Sequence, residues 1–172
     1  MDVRHLERVD DARALIRINA MAWRVAYTEI LPDEALARVE TDPSTERVQQ
    51  AYERLRENRD GILVTEDAKG IVRGFCYFRW NEETKPFVGE DEADLKEIYV
   101  EPNYWGDGIG TTLLERGLAL LPESVERVRL EMLDGNEIGH QLYVSRGFDR
   151  TGESEFEIAG ETYPTSIYTL KI

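Results

Sequence analysis

Apolar residues along this chain change their spacing from one stretch to the next, and the changes predict its elements. Between residues 10 and 27 they fall at helical intervals in two adjacent stripes: Leu15, Ile18, Ala22 and Val25, and beside them Ile16, Ala20, Trp23 and Tyr27. Two stripes on one helix predict contact on two sides. Asp10 or Asp11 supplies a start signal for it, and VRHLERV (3–9) ahead of it reads as a first strand. LPDEALARV (31–39) and PSTERVQQAYERLREN (43–58) read as further helices, each opened by a proline and an acidic or hydroxyl residue.

After residue 60 the period shortens. GILVTE and IVRGFCYFRW flank DAKG, a hairpin signal. ADLKEIYV (93–100) is another strand, and a helix follows it through Leu121, stopped by Pro122. In RVRLEML (127–133) Val128, Leu130 and Met132 alternate as in a strand, and NEIGHQLYVSR (136–146) is a helix closed by Gly147. FDRTGESEFEI and YPTSIYTLKI form a second hairpin around AGE. The order is strand, helices, three strands, helix, strand, helix, two strands. It predicts one domain over residues 1–172, a mixed α/β (α+β) sheet of about seven strands with helices on both faces.

Within the strand 93–100 the parity breaks. Leu95 is odd, Ile98 and Val100 are even, so strict alternation sends them to opposite faces. A β-bulge near Lys96–Glu97 brings all three to one face. It also leaves an N–H without a ladder partner and splays the strand from its neighbour, making a slot for an extended ligand arm.

The stretch NYWGDGIGTTLLERG (103–117) places Gly106, Gly108 and Gly110 at the mouth of a helix. It lacks the Gly-Lys-Ser/Thr of a Walker A loop, and its G-x-G-x-G spacing departs from the G-x-G-x-x-G of a dinucleotide fingerprint. Two readings remain. The glycines permit a tight strand-to-helix turn, or their bare amides, with the positive end of the helix dipole, hold a phosphate or pyrophosphate.

Composition narrows the field. The net charge of −14 over 172 residues, with lysine only at positions 69, 85, 96 and 171, gives no basic stripe for nucleic acid. Acidic runs such as VGEDEAD (88–94) read as solvated loop, and the acidic, lysine-poor composition is that of cytosolic proteins from salt-accumulating microbes. No window is apolar enough for a membrane span. The N-terminus is charged from its second residue, unlike a secretory signal. Cys76 is the single cysteine and only His5 and His140 accompany it, so neither a disulfide framework nor a zinc site is expected. A cytoplasmic protein without a metal is the expectation.

LKEIYVEPNYWGDGIGTTLLERGL followed by LEMLDGNEIGHQLYVSRGF resembles the two signature segments of the GNAT superfamily, the acyl-CoA-dependent N-acetyltransferases. The first is similar to the family's Arg/Gln-x-x-Gly-x-Gly/Ala loop. The second is similar to its pattern of Asn136, then Tyr143, then Gly147-Phe148. Together they cover about residues 93–148. Trp105 stands where the family usually has Arg or Gln.

The resemblance implies a splayed GNAT sheet and acetyl-CoA as cosubstrate. It implies a cofactor surface of Ile98, Tyr99, Val100, Trp105, Gly106, Asp107, Gly108, Ile109, Gly110, Thr111, Asn136 and Tyr143. Tyr143 corresponds to the family's tyrosine acid for the leaving thiolate. Asp94 and Glu97 both qualify as the base that removes the amine proton, directly or through water. Trp23 and Tyr27 wall an acceptor groove, or else pack the first helix on its neighbour. Acceptor recognition falls on the first helices and on NEETKPFVGEDEA (81–93). Cys76 is expected in the core and His140 on the surface. The partner is a small-molecule or peptide amine, with no nucleic acid and no membrane, and a homodimer is compatible with the family. Two rival readings are a degenerate GNAT domain that binds acyl-CoA as a sensor, and an α/β interaction domain without a ligand. Polyamine, amino acid, antibiotic, peptide N-terminus and protein lysine all stay open as acceptors.

Overall fold

The computed structural model describes residues 1–80 and 83–172. Asn81 and Glu82, the first two residues of the expected recognition segment 81–93, lie outside the described residues. The elements run β1 (Asp2–His5), α1 (Val9–Ala26), α2 (Asp33–Ala37), α3 (Thr45–Leu55), β2 (Ile62–Glu66), β3 (Val72–Arg79), β4 (Glu92–Val100), α4 (Ile109–Leu118), β5 (Arg127–Leu133), α5 (Glu137–Ser145), β6 (Asp149–Ile158) and β7 (Glu161–Lys171). The expected order holds throughout.

The ends differ from expectation in ways the side chains explain. β1 stops at His5, and α1 starts after Arg8 rather than at Asp10 or Asp11. Asp11 sits inside the first turn and reaches back: its Oδ2 accepts from the amides of Glu7 at 2.9 Å and Arg8 at 3.0 Å. It thereby occupies two amides at the helix start. Val25, at the end of its stripe, is exposed. α3 gives way at Leu55 to a 3₁₀ segment, Arg56–Gly61. α4 ends at Leu118, three residues before the expected Leu121, because the chain tightens. Leu120 N–H donates to Gly117 O and Leu121 N–H to Leu118 O, three residues back. Gly147 closes α5 at φ +91°, as expected.

Among the described residues, seven strands form one open sheet in the order β1-β2-β3-β4-β5-β7-β6. Every neighbouring pair is antiparallel except β4–β5. α1 and α3 cover one face over Ile18, Val48, Val64 and Phe75. α4 and α5 cover the other over Phe78, Leu113, Val128 and Phe148. Burying side chains of this size is worth about 1.5–3 kcal/mol each. α4 lies so close to the sheet that a Cβ on Gly117 would stand 2.1 Å from the Phe78 ring.

The bulge falls where parity placed it. Tyr77 pairs with Glu97 and Phe78 with Leu95, leaving Lys96 as the extra residue. Leu95, Ile98 and Val100 consequently share the α4/α5 face, while Tyr99 packs on the α1/α3 face. Beyond the bulge β4 leaves β5. The two pair only at Glu92–Arg127, Ala93–Val128 and Asp94–Arg129. The sheet therefore opens from Leu95 onward, and this gap positions the site.

Candidate active site

A cleft of about 510 Å³ occupies the gap. α1 bounds it on one side, through Ala22, Trp23, Ala26 and Tyr27, and the glycine turn and α5 bound it on the other.

The turn is made of main chain. Gly106 (φ +89°) and Gly108 (φ +81°) are both left-handed, which favours glycine. A Cβ at either would meet nothing within 4 Å, so both present bare backbone to open space. Gly110 differs: it is helical, and a Cβ there would sit 3.6 Å from Leu142 of α5. At the start of α4 the amide of Thr112 bonds to Gly108 O at 3.0 Å. Among the described residues, the amides of Gly108, Ile109, Gly110 and Thr111 have no acceptor within the fold. Four free donors at the positive end of a helix suit a phosphate or pyrophosphate.

Trp105 has a job of its own. Its Nε1–H donates to Val100 O at 2.7 Å and pins the turn to the end of β4. Just before it, Glu101 is buried between Arg17 of α1 and Arg73 of β3, with Arg73 Nη1 at 2.8 Å. Arg73 also lies over the Tyr104 ring at 5.0 Å. The anchor of the turn is thus side-chain work, and the surface it presents to the cleft is backbone. Asp107 is exposed and stands outside the cleft lining.

α5 brings Asn136 and Tyr143 to the cleft wall. Asn136 caps its helix, its Oδ1 accepting from Gly139 N–H at 3.0 Å. Tyr143 is buried against Phe148 and Tyr168, with ring centroids at 5.6 and 6.3 Å. Burial pushes its phenol above the ordinary tyrosine value, so it keeps its proton at neutral pH.

The two carboxylates of β4 part company at the bulge. Asp94 is fully buried, pairs with Arg79, and lies outside the cleft lining. Its Oδ1 has no hydrogen-bond partner among the described residues. Glu97 lines the cleft and has no ion pair among the described residues. Burial pushes its carboxyl above the usual carboxylate range, with Lys96 and Arg79 opposing the shift. Above it Trp23 and Tyr27 meet edge to face at 5.1 Å, and Trp23 Nε1–H donates to the Tyr99 hydroxyl at 2.9 Å. Both residues line the cleft, and Tyr27 also packs on Leu31, Leu36 and Leu133.

Ile98, Tyr99, Val100, Ile109 and Thr111 also line the cleft. Cys76 is core, and burial pushes its thiol up to about 12. His140 is exposed, its Nδ1 2.7 Å from the Tyr168 hydroxyl. Among the described residues, no group of three or more His, Cys, Asp or Glu is placed to hold a metal ion. No described helix is long and apolar enough to cross a membrane.

The loop before β4, part of the segment 81–93, contributes Lys85. Sequence reasoning missed the contribution of the far strands. Glu131, Phe156, Ile158 and Thr165 all line the cleft. One signal was available: Glu131 follows Arg127 and Arg129 on the polar face of an alternating strand, and is the one acidic residue there.

A seven-stranded sheet splayed between β4 and β5, with a turn of unpaired amides opening onto the gap, is the GNAT fold. The chain belongs to the acetyltransferase (GNAT) family, whose profile matches residues 22–148. It is 26% identical over 159 residues to the uncharacterized N-acetyltransferase YuaI of Bacillus subtilis, covering 89% of this chain and 83% of that protein. It is 24% identical over 160 residues to a spermidine N(1)-acetyltransferase of Thermoplasma acidophilum, covering 91% and 94%. The crystal structure of PaiA N-acetyltransferase from Thermoplasma acidophilum in complex with coenzyme A superposes with a TM-score of 0.70, covering all of both chains at 22% identity.

Proposed function

We propose that this protein is one N-acetyltransferase domain that moves an acetyl group from acetyl-CoA to a primary amine. The observation that carries the reading is the junction of three features at one gap: free amides at the start of α4, the splay of β4 from β5, and Tyr143 on the wall between them. Membership of the acetyltransferase family supports acetyl-CoA as the cosubstrate, and the glycine turn fits its pyrophosphate.

Acetyl-CoA supplies an activated acetyl thioester when bound. The residues of this chain do the rest. The amides of residues 108–111 hold the pyrophosphate, and the unpaired edge of β4 beyond Leu95 receives the extended arm. Glu97 accepts the proton that the acceptor ammonium must lose, directly or through water, because an alkyl ammonium with a pKa of about 10 is a poor nucleophile. Its raised proton affinity brings it closer to that task than an ordinary surface carboxylate. Tyr143, kept protonated by burial, gives its proton to the sulfur as the N–C bond forms and the C–S bond breaks, and the second proton that the nitrogen sheds on becoming an amide returns through water to the tyrosinate. Asp94, tied to Arg79 and outside the cleft lining, holds the strand instead.

Thiol release from acetyl-CoA in the presence of an amine panel tests the reading. Amine-dependent release supports it. Tight acetyl-CoA binding with no release from any amine leaves an acyl-CoA sensor.

A further inference from the structure

The acceptor end of the cleft differs in charge from the rest of the molecule. The chain carries a net charge of −14. Yet the charged residues lining the described cleft are two lysines, Lys85 and Lys96, and two glutamates, Glu97 and Glu131. Glu131 is fully engaged. Its Oε1 accepts from Lys85 Nζ at 2.9 Å and its Oε2 from the Thr165 hydroxyl at 2.7 Å. This pair ties the loop before β4 to β5. Two charges stay free of ion pairs among the described residues: the Glu97 carboxylate and the Lys96 ammonium. They are neighbours at the bulge, and Lys96 lies over the Tyr77 ring at 4.9 Å. The surrounding wall is apolar, made by Trp23, Tyr27, Leu133, Phe156 and Ile158.

Building on the acetyltransferase reading, we infer that the acceptor is a small zwitterion on an apolar body, a hydrophobic α-amino acid, with its amine at Glu97 and its carboxylate at Lys96. A polyamine has several ammonium groups, and this end of the cleft offers one free carboxylate and one free lysine to meet them. Like charges facing across a binding site cost affinity. A bare aryl-alkyl amine satisfies Glu97 and the apolar wall but leaves Lys96 without a partner. The amino acid satisfies all three.

The test compares L-phenylalanine, 2-phenylethylamine and spermidine in wild type and in Lys96→Glu. Two measurements are made: CoA release, and equilibrium binding of each amine by calorimetry with CoA present. In wild type L-phenylalanine binds and reacts at least tenfold better than 2-phenylethylamine, and spermidine ranks last. In Lys96→Glu the preference for L-phenylalanine over spermidine falls at least tenfold. The inference is overturned by spermidine ranking first in wild type, by an unchanged preference in Lys96→Glu, or by no binding of L-phenylalanine. Binding needs no turnover, so the two readings separate. Selective binding of L-phenylalanine without CoA release from any amine upholds the amino-acid pocket but overturns its role as acceptor site together with the transferase reading; release with spermidine alone upholds the transferase reading and overturns the pocket.

Discussion

The two sides of the cleft are built differently. On the α4/α5 side the cleft surface is main chain: four free amides and two left-handed glycines, with side chains such as Trp105 and Glu101 serving as anchors behind it. On the α1 side the surface is side chains: Trp23, Tyr27, Lys96 and Glu97. A backbone surface is indifferent to the residue at a given position, provided the angles are kept. That is how this turn accommodates Trp105, whose side chain is turned to the end of β4. A side-chain surface can be changed one substitution at a time. The same contrast recurs within β4, where Asp94 lies before the bulge in paired sheet and Glu97 lies after it in the open part.

The largest effect tests that last contrast through stability. Asp94→Asn leaves the Arg79 guanidinium, 12% exposed, without its carboxylate. Removing one partner of a buried pair costs about 3–5 kcal/mol. Denaturant titration checks the loss, and the pH–rate profile of the surviving folded enzyme stays that of wild type. A stable Asp94→Asn with a shifted profile would exchange the roles of the two carboxylates, making Asp94 the base and Glu97 the bystander.

Tyr143→Phe comes next and separates chemistry from binding. It removes one oxygen from a ring packed on Phe148 and Tyr168. Turnover falls by roughly ten- to a thousandfold, in keeping with the loss of a general acid. The acetyl-CoA dissociation constant stays within about threefold, under about 1 kcal/mol. Wild-type turnover would make the hydroxyl structural.

Glu97→Gln follows, with roughly a hundredfold loss of turnover at neutral pH. Raising the pH delivers neutral amine from solution and restores part of the rate. The same variant has a stability signature. Burial raises the Glu97 carboxyl in the folded state, so the folded protein holds that proton more tightly than the unfolded chain does. The stabilisation is complete below the ordinary carboxylate value and is lost as pH rises through the raised one. Wild type therefore loses stability relative to Glu97→Gln between acid and neutral pH. Parallel stability curves for the two proteins would show that Glu97 is solvated and unsuited to the role of base.

Much of the backbone side was legible in the sequence because its signals are local. Parity at Leu95, Ile98 and Val100 located the bulge, and the pairing leaves Lys96 as its extra residue. Asn136 and Gly147 marked the two ends of α5. The side-chain surface was less legible because it is assembled across distance. Thr165 reaches Glu131 only because β7 lies between β5 and β6 in the sheet. Asp94 and Glu97 looked alike as strand carboxylates. What tells them apart is Arg79, placed opposite Asp94 by the β3–β4 register. The three glycines looked equivalent too, and only backbone angles divide the left-handed Gly106 and Gly108 from the helical Gly110.

That division sets the smallest expected effect, at the backbone side. Gly108 stands at φ +81° immediately before α4, where a β-branched residue is strained. A Cβ there meets no atom within 4 Å, so Gly108→Val does not clash with the protein itself. It acts by pulling the turn from the left-handed angle and by standing over amides that the pyrophosphate must approach. Acetyl-CoA binding weakens at least tenfold, about 1.4 kcal/mol, while the sheet and its two cores persist. Calorimetry gives the affinity, and a thermal melt alongside it reports the fold. Lost affinity in a protein that melts near wild type identifies the turn as a ligand surface. Unchanged affinity with a lower melting temperature would mean that the glycine serves only to bend the chain from β4 into α4.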